Sequence, residues 1–337
     1  MGVTVTQLAA FVAVVRGGSV TAAARELVVT QPSVSSAVAA LERELDVQLT
    51  ERVGRTLRPT EAGAAYAAYA AEVLGLLELG RRAAREAAGH ERRTLRISAV
   101  TTAAEYLVPQ LIQAFGQHHP EFEISLDVGN REEVFRRLTD HRADVAVTGR
   151  PPADANVDGI AFADNEFVLV TSVDDPLAGR TAVGIGELAS RPWLVRERGS
   201  GTRALCDEFL EIRKLSPRAF TLGSNGAIKQ AARAGLGIAL QARVAVALEL
   251  ELGLLKLIDL DEELPHRQWY AARPRVGPAR HGAESFVAFV ESAAGREALA
   301  RVLPGGASNA NGGGPGGGAP DVIGGTPRSR SRSETPV

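Results

Sequence analysis

Ser19-Val20-Thr21-Ala22-Ala23-Ala24-Arg25-Glu26-Leu27-Val28-Val29-Thr30-Gln31-Pro32-Ser33-Val34-Ser35-Ser36, running on to Leu45, is the stretch from which the rest of the chain can be organised. Ser19 can cap a short helix, because its hydroxyl accepts a bond from a free amide of the first turn. Ala22, Ala23 and Leu27 are its inward candidates, and Thr21 and Arg25 face outward. Val28-Val29 breaks that helix. Thr30 caps the next one, and Pro32 is tolerated there because early helical positions need no amide donor. Val34, Val38, Leu41 and Leu45 recur at helical spacing and bury one stripe. The opposite face begins with Gln31, Ser33, Ser35 and Ser36.

Upstream, Leu8, Phe11, Val12 and Val15 form one apolar face over Val5 to Arg16, and Gly17-Gly18 stops that helix. The third helix thus presents short hydrogen-bonding side chains at its N-terminus. That is the end a helix-turn-helix offers to base edges in the major groove, and the helix dipole there favours nearby phosphate. By spacing alone, an ordinary three-helix packing unit with a serine-rich cap fits equally well.

Composition bounds the alternatives. A chain of 337 residues with 45% apolar content is long enough for two or three folded units. One cysteine, Cys206, excludes an internal disulfide and a multi-cysteine zinc site. No basic-then-apolar leader pattern and no long uninterrupted apolar run is found, so a soluble cytoplasmic protein with no membrane partner is expected. A formal charge of −2 gives no global nucleic-acid signal, so DNA contact must rest on locally placed arginines.

The residues Ala23-Ala24-Arg25-Glu26-Leu27, Thr30-Gln31-Pro32-Ser33-Val34-Ser35, Val38, Leu41-Glu42, Leu45, Val47, Arg52, Arg55 and Thr60-Glu61-Ala62-Gly63 resemble the N-terminal domain of LysR-type transcriptional regulators. The resemblance implies a winged helix-turn-helix over residues 1–59. Its DNA contacts would be Thr21, Arg25, Thr30, Gln31, Pro32, Ser33, Ser35 and Ser36, with Arg52, Arg55 and Arg58 on the wing touching phosphate or the minor groove. The sequence departs from the family pattern at Thr50, where an apolar aromatic is usual, and at Pro59, where leucine is usual.

Thr60 caps a helical pattern that runs without proline to about Ala88, roughly 40 Å at ~1.5 Å per residue. Tyr66, Tyr69, Val73, Leu76, Leu77 and Leu79 give it an apolar seam that needs a cover, either a partner helix or its own domain. The resemblance implies a linker and dimerisation helix over 60–90, a homodimer or dimer of dimers on a double-stranded operator, and contact with RNA polymerase.

Beyond it the pattern alternates between short strands and helices. Strands are expected at Leu95 to Val100, Phe122 to Val128 and Val145 to Thr148, with helices at Ala103 to Gln117 and Arg131 to Arg142. A second set runs from Phe167 to Ile258, and Trp269 to Arg273 with Ala283 to Ala293 closes the pattern. This alternation predicts parallel sheets with crossover helices. The fold class is therefore α+β multidomain, with a bilobed α/β periplasmic-binding-protein-like effector domain over 94–303. By the resemblance, lobe 1 is about 94–165 and 270–303, and lobe 2 is about 166–269. The Gly, Pro and Arg-Ser tail over 304–337 is expected to be disordered.

Ligands in open α/β sheets bind beyond the carboxyl ends of strands, where helix N-termini offer amides. That rule selects Thr101 and Thr102; Gly129, Asn130 and Arg131; Thr148 and Arg150; Gly199, Ser200, Gly201, Thr202 and Arg203; and Ser224 with Asn225. Such turns suit a small anionic effector. Several of them, with Phe162-Ala163-Asp164-Asn165 and Ala227-Ile228-Lys229-Gln230-Ala231, resemble the branch that regulates RuBisCO and Calvin-cycle operons. The resemblance implies response to phosphorylated sugars or nucleotide metabolites. Gly226 departs from that branch, where glutamate is usual.

No Walker loop, dinucleotide fingerprint or His-Glu-x-x-His spacing occurs, so no cofactor, catalytic residue or metal is expected and the chain reads as no enzyme. A LysR-type regulator of another pathway, and a small-molecule-binding protein whose N-terminal helices contact protein, remain alternatives.

Overall fold

The computed structural model describes residues 2–303 apart from 55, 91 and 154. The wing arginine Arg55 and the tail beyond Leu303 therefore lie outside the described residues. Within the N-terminal domain, local capping sets the start of each helix. Thr4 and Gln7 form a capping box for α1 (Val5–Gly17), which Gly18 ends at a left-handed φ of 63°. The Ser19 hydroxyl accepts from the Ala22 amide at 3.1 Å to start α2 (Val20–Glu26). The Thr30 hydroxyl accepts from the Ser33 amide at 3.3 Å to start α3 (Gln31–Leu45). Phe11, Ala23 and Leu41 are fully buried where the three helices meet, with Val34 and Val38 beside them. Burying side chains such as Phe11 or Leu41 stabilises the unit by about 1.5–3 kcal/mol each.

A hairpin of β1 (Thr50–Val53) and β2 (Thr56–Pro59) forms the wing. Thr50 brings a hydroxyl where an aromatic was expected, and a polar clasp replaces ring packing. Glu42 Oε1 accepts from the Leu49 amide at 2.9 Å, the Thr50 amide at 3.0 Å and the Thr50 hydroxyl at 3.1 Å.

Helix α4 (Glu61–Ala87) starts at Thr60, whose hydroxyl accepts from the Gly63 amide at 2.9 Å. Its apolar seam divides. Tyr66, with its ring 6.0 Å from Phe11, and buried Ala70 pack on α1. Further along, Gly75 passes so close to the Asp140 carbonyl that a Cβ there would lie 1.9 Å from the oxygen, and Leu79 is buried. Tyr69, Val73 and Leu77 stay exposed. By length and composition α4 could cross a membrane, but both halves of it pack on folded protein.

The first lobe comprises β3 (Arg93–Val100), α5 (Thr101–Tyr106), α6 (Val108–His118), β4 (Phe122–Gly129), α7 (Arg131–Thr139), β5 (Val145–Thr148) and β6 (Val157–Asn165). The second holds β7 (Phe167–Thr171), β8 (Trp193–Arg196), α8 (Gly201–Ile212), β9 (Ala219–Leu222), α9 (Asn225–Arg233), β10 (Ala239–Ala242), α10 (Arg243–Glu251) and β11 (Lys256–Ile258). The chain then returns through β12 (Arg267–Pro274), α11 (His281–Glu291) and α12 (Ala293–Ala300). Lobe 1 is built on a five-stranded sheet in the order β4-β3-β5-β12-β6. Lobe 2 has β10-β7-β11 and the β8-β9 pair, which a bridge between Trp193 and Ile238 ties together.

Four features differ from expectation. The sheets are mixed: β3 pairs parallel with β4 and β5, but the crossing strand β12 pairs antiparallel with β5 and β6, and β7 is antiparallel to both neighbours. A chain that crosses between lobes and returns must reverse direction, which no local pattern encodes. The single helix expected from Ala103 to Gln117 is two, broken at Leu107, because Pro109 supplies no amide to a continuing helix and disfavours helical geometry before it. Strand β6 was unforeseen, since its burial does not alternate regularly. Helix α7 also stops at Thr139, three residues before the expected end, because His141 turns to a φ of 53°.

Candidate functional site

The N-terminal candidates lie on one exposed surface. Gln31, Pro32, Ser33, Ser35 and Ser36 are exposed along the first turns of α3, and Thr21 and Arg25 are exposed on α2. Thr30 and Ser33 also serve the cap, with their hydroxyls 2.8 Å apart. On the wing, Arg52 and Arg58 are exposed on opposite strands, Arg52 facing Leu57 and Arg58 facing Glu51 in the ladder. At the start of α3 Pro32 carries no amide proton and the Ser33 amide is taken by Thr30, which leaves the Thr30 and Gln31 amides with these hydroxyls and arginines as a face suited to phosphate and base edges.

Of the five candidate turns, four touch in pairs across the lobes, Thr102 with Asn225 and Asn130 with Gly199. Thr102 opens α5, and its hydroxyl accepts from Asn225 Nδ2 at 3.3 Å across the cleft. The same amide group donates to Glu105 at 2.8 Å, while Asn225 Oδ1 accepts from Arg196 Nη1 at 2.6 Å. Asn130 caps α7 in a capping box with Glu133, and its amide lies against Gly199, where an added Cβ would be 3.4 Å from Nδ2. Gly199 holds a left-handed φ of 87°, which favours glycine, and Ser200 and Gly201 follow it into α8. Ser224 caps α9.

Not every candidate points to that centre. Arg203 is held within its own lobe by Asp207 at 2.8 Å and by the Arg196 carbonyl at 3.1 Å. Thr202 is half-buried beside it, Thr101 is half-buried on α5, and Gly129 precedes the α7 cap. Arg150 is exposed, and its carbonyl accepts from Arg131 Nη2 at 2.5 Å. Thr148 is fully buried at the end of β5, and its hydroxyl has no hydrogen-bond partner.

Charge at this centre is uneven. Burial lowers the Arg131 pKa, and the positive charge of Arg267 lowers it further. Among the described residues no carboxylate pairs with Arg131, whereas Arg267 reaches Glu208 of α8 at 2.9 Å. A half-buried guanidinium without a carboxylate partner favours an anion at this spot.

Sequence reasoning missed three groups. Arg196 is 2% exposed at the end of β8 and forms a two-pronged pair with Glu197, at 2.7 Å on each side. Burial alone would raise the Glu197 pKa, but the Arg196 hydrogen bonds hold it below the usual range. Lys229 of α9 pairs with Glu249 at 2.9 Å and sits 5.3 Å from the ring centre of Tyr106 in lobe 1. Burial would lower the Lys229 pKa, yet bonds to Glu249 and Tyr106 leave it raised. An arginine closing the apolar run Trp193-Leu194-Val195 was the available signal for the first group. The second and third depend on which helices meet. Cys206 is buried and its thiol is pushed up to about 12 by burial, which suits packing and not nucleophilic chemistry.

Comparison with known proteins follows the same division of the chain. Residues 5–64 match the pattern described as "Bacterial regulatory helix-turn-helix protein, lysR family", and residues 88–295 match "LysR substrate binding domain". The chain is 36% identical over 297 residues to a "RuBisCO operon transcriptional regulator" of Allochromatium vinosum, covering 88% of this chain and 98% of that one. The regulatory domain of CcmR from Synechocystis PCC6803, solved in complex with 2-PG, is similar at 30% identity and a TM-score of 0.56, covering 59% of this chain and 96% of that one. A full-length OxyR variant from Pseudomonas aeruginosa shares the fold at 20% identity and a TM-score of 0.62, covering 86% of this chain and 95% of that one.

Proposed function

We propose that this chain, which belongs to the LysR family of transcriptional regulators, is a cytoplasmic, non-enzymatic regulator of a carbon-fixation operon, whose hold on its operator is set by a small phosphorylated acid bound between the lobes. The meeting of Thr102, Asn130, Gly199 and Asn225 beside the unneutralised Arg131 carries this reading. It supplies hydroxyl, amide and guanidinium donors from both lobes, so a ligand that bridges them stabilises the closed form over the open one. The similarity to the A. vinosum regulator supports the operon class, and the 2-PG held by the CcmR domain supports the ligand class.

On DNA, α3 enters the major groove through Gln31, Ser33, Ser35 and Ser36 with Pro32 and Thr30 at its start, Thr21 and Arg25 of α2 reach the backbone, and the wing arginines Arg52 and Arg58 hold phosphate. Pairing of two half-sites requires at least a dimer, and α4 offers Tyr69, Val73 and Leu77 to a second copy, with tetramers and RNA polymerase as further partners.

The test is a gel shift on the intergenic DNA beside the chain's own gene, with and without 2-PG. Specific retardation whose pattern changes with 2-PG is expected. Retardation indifferent to 2-PG, inorganic phosphate and other phosphorylated acids sinks the ligand class, and no specific retardation sinks the operator assignment.

A further inference from the structure

The junction between α4 and lobe 1 holds a second concentration of buried charge, away from the interlobe cleft. Asp144, at the start of β5, accepts from Arg82 of α4 at 3.1 Å, from the Arg96 amide at 2.9 Å and from the Arg96 guanidinium at 3.3 Å. Arg280, just before α11, reaches both oxygens of Glu86 on α4, at 2.9 and 3.0 Å. Glu86 also accepts from the Thr94 amide and hydroxyl. Burial would raise the Asp144 pKa, but the charges of Arg96 and Arg82 hold it below the usual carboxylate range. Three guanidiniums therefore share two carboxylates in this cluster, while Glu72 and Asp140 add negative charge beside His141.

This cluster borders a pocket. Leu79 of α4, His141, Val276, Arg280 and Ala283 are among its lining residues, together with the carboxylates Asp144, Asp158 and Glu284, of which Asp158 pairs with Arg275 at 2.9 Å and Glu284 lies 3.9 Å from Arg273. Two lining polar atoms are buried without a partner, Arg280 Nη1 and His141 Nε2. His141 is 5% exposed, and burial lowers its pKa so that the neutral ring is favoured. Its carbonyl is fixed by Arg96 at 2.6 Å, and Gly277 stands against its ring and against Leu76 of α4. The rim is exposed at Arg275 and Val276, with Arg275 already paired to Asp158. Unpaired buried donors cost free energy, most of all on a charged group, and an acceptor oxygen relieves both at once.

We propose that this pocket is a second anion site, taking a small carboxylate with a short apolar body and tightening the docking of the helix that carries the DNA-binding domain. One carboxylate oxygen accepts from Arg280 Nη1 and from the Nε2–H tautomer of His141, while Leu79, Val276 and Ala283 cover the apolar end. The ligand touches α4 and lobe 1 together, so it binds the docked junction and not an undocked one. Its effect on DNA is then a second input, separate from closure of the lobes.

Titration of the full-length protein with butyrate, and in parallel with inorganic phosphate, tests this by hydrogen exchange in α4 residues 76–86. Butyrate is expected to slow exchange there saturably, by about tenfold at ten times its Kd, because a ligand of the docked form opposes opening by 1 + [L]/Kd. Phosphate, which lacks the apolar body, should act more weakly. Ala283→Phe should fill the pocket and abolish the butyrate effect. His141→Asn, which tolerates the left-handed backbone at φ 53°, should weaken butyrate about fivefold by removing one hydrogen bond. Should Ala283→Phe fail to fold, unchanged butyrate affinity in His141→Asn overturns the proposal. So does exchange that does not saturate with either probe, meaning that water alone fills the pocket. Butyrate slowing that survives Ala283→Phe, or that vanishes in the cleft variant Thr102→Ala, places the ligand elsewhere and also overturns it.

Discussion

The DNA-reading face and the interlobe cleft solve opposite problems. On α3 the candidate contacts occupy one element, lie exposed along its first turns, and are held by a core of Phe11, Ala23 and Leu41 that uses almost no polar pairing. In the cleft the candidates come from turns more than a hundred residues apart, and the protein engages several of them itself. Asn225 serves Arg196, Thr102 and Glu105 together, and Asn130 caps its own helix. A reading face is best kept rigid and unengaged until DNA arrives. A switch works differently: its polar groups need an arrangement that a ligand can compete with, so that binding one state better shifts the balance.

Breaking the cleft cluster should have the largest effect. Arg196→Ala removes a guanidinium that is 2% exposed and leaves Asn225 Oδ1 and Glu197 without it. A loss of about 3 kcal/mol in unfolding free energy is expected, the low end for a broken buried pair because Glu197 can still reach water. A denaturant midpoint unchanged from wild type would mean that the cleft is not held by this cluster. Next comes Gln31→Ala, which should cost about 1–3 kcal/mol of discrimination between operator and unrelated DNA, with unfolding unaffected. Competition gel shifts measure this, and intact preference would remove Gln31 from the reading face.

Arg58→Ala sharpens the contrast within the N-terminal domain. On the proposed phosphate role of Arg58, affinity should fall on all sequences alike, and the slope of log K against log salt should shrink by about 0.9. A loss confined to the operator would make Arg58 a base reader.

The smallest effect concerns pH at the α4 junction. Burial lowers the His141 pKa from its ordinary 6.5, against the opposing charges of Glu72, Asp140 and Asp144 and with help from Arg96. The unfolded or undocked histidine binds a proton first, so docking is at full strength above pH 6.5 and weakens as pH falls from there toward the lower folded value. Asp144, whose pKa is depressed from 3.8, adds a loss only below that value. Protection of residues 76–86, taken relative to the base-catalysed intrinsic exchange rate at each pH, should fall between pH 7.5 and 5 in wild type and not in His141→Asn. An equal loss of protection in both would discard His141 as the cause.

Much of the molecule was legible before the structure. Ser19, Thr30 and Thr60 each cap the helix that follows, and Val34, Val38 and Leu41 are buried as their spacing required, because caps and stripes act over three to seven residues. The turns that border the cleft were legible for the same reason, since strand, turn and helix N-terminus are neighbours in sequence. Arg196, Lys229 and Tyr106 were not, because Lys229 and Tyr106 meet across the lobes and Arg196 meets an Asn225 that lies far from it in sequence. At Thr50 the sequence showed only a departure from the family pattern, and the structure gives its hydroxyl a carboxylate partner in Glu42.

By itself, then, the sequence determined the helices and their caps, the exposed polar face that opens α3, the alternation that makes two α/β lobes, and a resemblance that the comparison with known proteins bears out at the level of the LysR family. Only the tertiary structure decided strand direction, the break at Leu107, the division of α4 between two domains, and the charge network of Arg82, Arg96, Asp144 and Arg280. The physical reason is range. Backbone amides and helical stripes are satisfied by near neighbours, whereas a buried charge is satisfied by whatever the folded chain brings within about 4 Å, and sequence distance says nothing about that.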